Sequence, residues 1–108
     1  MQLQGRVRHT PVATIVELDG QADLAAAPQL TQLLNRGLAE AERRIVIDLD
    51  GLTLLDDTAL GLLIGAAASA RRHGRSMELL STNERVRRRL VDTRIDRIVD
   101  IVDAAPVS

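Results

Sequence analysis

Residues Ile45-Val46-Ile47-Asp48-Leu49 form a nearly continuous apolar run. Such a run fits a strand covered on both faces, as in a parallel sheet. The segments on either side carry helical spacing instead. Upstream, Leu30, Leu33, Leu34 and Leu38 place one apolar stripe on a helix of about three turns. Ala27-Pro28 opens that helix, with proline in its first turn, and Arg43-Arg44 closes the connection. Downstream, Asp56-Asp57-Thr58 is a helix-start signal. The spacing predicts a helix over Thr58–His73, apolar nearly all round and so buried on more than one side. Gly61 and Gly65, one turn apart, invite another backbone to approach closely, and Gly74 is the expected left-handed stop.

The rest of the chain extends this alternation. Leu3 to Arg8 alternates apolar or small with polar residues, His9-Thr10-Pro11 makes a turn, and Val12–Leu18 is a second β-branched run. These two pair as a hairpin, followed by a loop over Asp19–Asp23. Asp50-Gly51 reads as a turn before Leu52-Thr53-Leu54-Leu55. Met77–Leu80 is a short strand. Ser81-Thr82-Asn83-Glu84 has the form of a capping box, opening a helix that buries Val86 and Leu90 and turns Arg85, Arg87, Arg88 and Arg89 mostly outward. Ile98–Val102 is a last strand. The predicted class is α/β, order ββαβαβαβ: a mixed, mostly parallel sheet of four to five strands with helices packed against it. Residues 1–103 form one domain and 104–108 a frayed tail.

Composition excludes several chemistries. The 108 residues contain no cysteine and no aromatic residue, and all 14 basic side chains are arginine. Disulfides, thiolate nucleophiles, a phosphate-binding lysine and base-stacking platforms are therefore excluded. A net charge of −1 argues against nucleic acid as a partner. Residues 1–10 have no apolar signal core, and Ala59–Ala70 is too short to span a bilayer, so a cytoplasmic domain without membrane insertion is expected. The charge is polarised, with nine arginines against four acids between residues 71 and 97, which suits steering toward a charged protein. His9 and His73 have no neighbours at metal-ligand spacing, so no metal or cofactor is expected; His73 suits the carboxyl end of a helix.

The tightest polar cluster is Asp48, Asp50, Asp56 and Asp57, where ligands bind in open α/β sheets. Capping and turn formation account for part of it, and function is more expected at residues 56–58 than at Asp48 or Asp50. Ile45 to Thr53, with Asp48-Leu49-Asp50-Gly51 at its centre, resembles the opening motif of the haloacid dehalogenase-like phosphohydrolases. That resemblance would make Asp48 a nucleophile and Asp50 an acid/base. It covers about nine residues, places Leu52 where that family has threonine, and lacks the downstream lysine that the family needs. A receiver domain fails on the same lysine.

A second resemblance covers nearly the whole chain. Gly20-Gln21-Ala22-Asp23, Ala27-Pro28, Val46 through Asp56, Leu60-Gly61-Leu62-Leu63, His73-Gly74 and Arg89-Leu90 follow in the order seen in STAS domains of bacterial anti-sigma factor antagonists. The resemblance implies an anti-anti-sigma factor, not an enzyme, that regulates sigma-dependent transcription by partner switching. Its partner would be an anti-sigma factor that is also a serine kinase. The kinase would use ATP; this chain would need no cofactor. A homodimer is a further partner in view.

The family's central segment carries a serine directly after an aspartate, and that serine accepts phosphate. Here the segment is Asp56-Asp57-Thr58-Ala59-Leu60-Gly61. Asp57 takes the acceptor position, Thr58 follows it, and Ala59 replaces a glycine. Three consequences stay open. Asp57 imitates the phosphorylated form, or it leaves the domain always competent, or Thr58, about 100° further round the helix, is the acceptor. The implied partner-binding residues are Asp23, Asp56, Asp57, Thr58, Ala59 and Leu60, with Leu62 or Leu63 packed behind. The absent acceptor serine also fits a STAS subunit of an ATP-binding-cassette lipid transporter.

Overall fold

A computed structural model describes residues 2–106. Its strands are β1 (Gln4–His9), β2 (Thr14–Ala22), β3 (Arg44–Leu55), β4 (Ser76–Leu80) and β5 (Asp100–Val102), and its helices are α1 (Ala27–Glu40), α2 (Asp57–Arg72) and α3 (Glu84–Asp92). Short 3-10 turns cover Leu24–Ala26 and Ile95–Arg97. The sheet order is β1-β2-β3-β4-β5, with β1 antiparallel to β2 and the other pairs parallel. This is the predicted ββαβαβαβ arrangement, with five strands.

Each parallel step moves one strand in the same direction, so right-handed crossovers place all three helices on one face. Leu30 and Leu34 of α1, Leu63 of α2, and Val86 and Leu90 of α3 accordingly share one core with Val16, Leu18, Ile45, Ile47, Leu49 and Leu79 of the sheet. Strand β3 is buried on both faces, but by different means. Its other face contributes Val46 to a small cluster with Ala13, Ile15 and Leu80, packed by Val102 and Ala105. Polar pairs surround that cluster: Arg6 and Arg8 both reach Glu17, and Arg44 pairs with Glu78. Ala105 thus packs on the sheet; Val107 and Ser108 of the predicted tail lie outside the described residues.

Several local expectations are corrected. Asp19–Asp23 and Asp50-Gly51 are not breaks between elements: β2 runs to Ala22 and β3 runs unbroken to Leu55. Register shifts explain the turn-like residues. Glu17 is opposite Asp48 but Asp19 is opposite Gly51, and Gly20 is opposite Leu52 but Gln21 is opposite Leu54. Strand β3 therefore carries one extra residue at each shift, a pair of bulges that bend it. At Gly51 a Cβ would sit 1.8 Å from Asp19 Oδ1 and 2.6 Å from the Leu18 carbonyl oxygen, so only glycine fits. Gly20 adopts φ of +94°, which glycine alone takes without strain.

Helix α2 is not buried all round. Gly61, Gly65 and Ala68 face solvent, while Ala59, Leu60, Leu63, Ala66, Ala67 and Ala70 form its buried face. Among the described residues, a Cβ on Gly61 or Gly65 would meet nothing within 4 Å, so none of their backbone approaches there. The residues left in water are small, and exposing them costs little. Gly74, at φ of +71°, is the expected stop, and the His73 ring lies 2.8 Å from the Ser69 carbonyl at the helix end. The cap of α3 is Asn83, whose Oδ1 accepts from the Arg85 and Val86 amides, while buried Ser81 donates to the Asn83 carbonyl. The final strand begins at Asp100, because Ile95–Arg97 turns first.

Candidate docking face at the carboxyl end of the sheet

The parallel strands end side by side, with Ala22 opposite Leu55. The Asp56 amide donates to the Ala22 carbonyl at 3.1 Å, which ties the start of α2 to the end of β2. Asp23, the next residue after β2, caps the 3-10 turn by accepting from the Ala26 amide at 3.0 Å. Asp56 caps α2 in the same way, with Oδ1 accepting from the Ala59 amide at 3.0 Å. The Asp56 carboxylate supplies the acceptor for an amide at the open end of α2, whereas the Ala26 amide is shared between the Asp23 carboxylate and the Asp23 carbonyl at 3.1 Å. Asp57 is the first residue of α2, not its cap. Its side chain is 90% exposed, and its Oδ1 accepts from Arg89 Nη2 at 2.5 Å. The Nε–H of the same arginine donates to the Leu55 carbonyl.

The predicted site residues therefore divide. Asp23, Asp56, Asp57 and Thr58 share one end of the sheet, whereas Ala59 and Leu60 turn inward at 1% and 4% exposure. At about 100° per residue, the third and fourth positions after the cap swing toward the sheet. Leu63 is fully buried behind them and Leu62 half-buried. Two exposed leucines flank the acids, Leu24 at 70% and Leu54 at 43%. A groove of about 630 Å³ opens beside Leu54, between Leu52 and Leu55 on one side and Asn83, Val86 and Arg89 on the other. Sequence reasoning missed Leu24, Leu54 and the part played by Arg89. Leu24 had a signal, since no apolar stripe claims it. Arg89 had none, because 32 residues separate it from Asp57.

Asp48 and Asp50 do different structural work. Asp50 accepts from the Thr82 amide at 2.6 Å, the Thr82 hydroxyl at 2.8 Å and the Asn83 amide at 3.3 Å. It thereby fixes the connection leading into α3. Asp48 accepts from the Asp50 amide at 2.9 Å. Burial holds its carboxyl above the usual range, and the carboxylates of Asp50, Glu17 and Asp19 push the same way, against that amide bond. Ionised Asp48 consequently weakens the fold at neutral pH, and stability returns as the pH falls through its raised pKa. Asp48→Asn, which keeps the amide bond, is expected to raise the melting temperature by a few degrees at pH 7. The gain should shrink as the pH falls through the raised pKa and vanish well below the ordinary aspartate value of about 3.9, where the acid is protonated in both states. Equal melting temperatures at pH 7 would show that the site does not strain the carboxylate.

Comparison with known proteins adds four findings. The family model described as "STAS domain" matches residues 4–105. An anti-sigma-B factor antagonist of Staphylococcus aureus is 22% identical over 92 residues, covering 85% of each chain. Among solved structures, an anti-sigma factor antagonist from Mycobacterium paratuberculosis superposes with a TM-score of 0.80 at 20% identity, covering 95% of this chain and 87% of the other. The Bacillus cell fate determinant SpoIIAA in its phosphorylated form superposes with a TM-score of 0.67 at 16% identity, covering 92% and 91%.

Proposed function

Since the chain belongs to the STAS domain family, we propose that it is an anti-sigma factor antagonist acting by partner switching. In this reading its docking face binds an anti-sigma factor that is also a serine kinase, and that binding frees the sigma factor. The observation that carries the reading is the convergence of the Asp23 turn and the Asp56–Thr58 helix start on one exposed end of the sheet. The names of the relatives support it. No chemical step falls to this chain. The two capping acids set the backbone of the face, and exposed Leu24 and Leu54 supply the apolar contact that aromatic anchors usually provide at interfaces.

Position 57 is where the reading is tested. A phosphoryl group would add about 1.5 to 2 negative charges there, against one for the aspartate. Asp57→Ser restores an acceptor, so incubation with the cognate kinase and ATP is expected to add one phosphoryl group, seen by intact-mass spectrometry. Absence of that mass shift, with a kinase active on another substrate, would overturn the kinase part of the reading. A modification of the unaltered chain that disappears in Thr58→Ala would assign the acceptor to Thr58 instead. Asp23→Ala is expected to weaken binding of the anti-sigma factor in a titration, because it removes a carboxylate from the face and the side-chain cap of the turn.

A further inference from the structure

Asp57 does not stand as a free anion. Arg89 reaches it from α3, with Nη2 donating to Asp57 Oδ1 at 2.5 Å and Nε donating to the Leu55 carbonyl. The two contacts use Nε and Nη2, which lie along one edge of the planar guanidinium, and together they fix its orientation. Its side chain is 39% exposed, so it is anchored at one edge while its charge lies at the surface. The carboxylate has no other side-chain partner among the described residues, and α3 contributes the only cation paired with it there.

We propose that Arg89 is a specificity-determining residue of the docking face: it neutralises the charge at position 57, so that the face is presented as though the acceptor position were unmodified. This rests on the partner-switching reading proposed above, and it takes the further premise that added negative charge at position 57 weakens the partner's grip. An aspartate at an acceptor position would ordinarily be expected to imitate the modified state. Here its single charge is matched by one guanidinium. A phosphoryl group, with about twice the charge, would exceed what one arginine cancels. The substituted position thus favours binding and does not block it. The bond from Nε to the Leu55 carbonyl places the guanidinium at the end of β3, beside position 57.

The test is a double-mutant cycle in binding to the cognate anti-sigma factor, combining Arg89→Gln with Asp57→Asn. Arg89→Gln is expected to weaken binding roughly tenfold when Asp57 is present, and less than about twofold when residue 57 is asparagine; that difference is a coupling of about 1 kcal/mol. Equal losses in both backgrounds would overturn the proposal, since Arg89 would then touch the partner or merely support α3. Tighter binding by Arg89→Gln would overturn it as well, because the arginine would then be hiding an aspartate the partner needs. No loss in either background has the same consequence. Asp23→Ala in the same assay separates this failure from that of the docking reading: if it leaves binding intact, the face itself is misassigned. In the chain alone, Asp57→Asn should shift the Arg89 guanidinium resonances in nitrogen-15 spectra. Unmoved resonances would overturn the pairing without any partner present.

Discussion

Gly51→Ala is expected to destabilise the domain by about 3 kcal/mol or more, and to lower its melting temperature by more than about 10 °C. The added Cβ would lie 1.8 Å from Asp19 Oδ1 and 2.6 Å from the Leu18 carbonyl oxygen. The first collision involves the end of a side chain that can swing away. The second involves backbone, in the central β2–β3 pair of the sheet, and moving it disturbs the ladder on both sides. Adding Asp19→Ala to Gly51→Ala should therefore recover part of the loss and not all of it. Thermal unfolding followed by circular dichroism reads both variants. A melting temperature within a few degrees of the parent for the single variant would show that this bulge is plastic, and that glycine is not required there.

Leu63→Ala is the second large effect. Leu63 is fully buried on the inner side of α2, in the core shared by the sheet and all three helices. Its removal should destabilise the fold by about 3 kcal/mol, within the 2–5 kcal/mol range for leucine-to-alanine changes in cores. Leu62, half-buried on the same helix, should lose less than half as much. Urea titrations would show the difference in midpoint with an unchanged slope. Equal effects at the two positions would contradict the burial pattern. The contrast also bears on the docking face, because Leu63 holds the first turns of α2 against the sheet from behind Ala59 and Leu60.

The alternation of elements was legible because it rests on periodicity, which each segment carries within itself. The Ile45–Leu49 run, the Leu30–Leu34 stripe and Gly74 all kept their predicted roles. Asp50-Gly51 and Asp19-Gly20 were misread because a bulge and a turn draw on the same residues. Only the pairing of β2 with β3 distinguishes them. Gly61 and Gly65 were misread for the opposite reason: small residues at helical spacing permit close packing but do not require it, and no element lies against them. At the site, a cap from Asp56 or Asp57 could be read locally, as could the grouping of Asp56 through Thr58, but the choice of Asp56 as the cap needed the structure. The inward turn of Ala59 and Leu60 needed the direction of the sheet. The Arg89 contact needed the whole fold, since α3 must return across the end of β3 before that side chain meets Asp57.

The strand order has a consequence for how this chain behaves among its own copies. Strand β1 closes one side of the sheet, so among the described residues its outer amides and carbonyls have no strand to pair with. A six-residue border of that kind can template fibrillar aggregation. Arg6 and Arg8 occupy alternate positions along it, with side chains 77% and 43% exposed and only Glu17 shared between them. A second molecule adding antiparallel to this border would bring guanidinium groups toward guanidinium groups. The two arginines that balance Glu17 within one molecule thereby disfavour pairing with the same border of another.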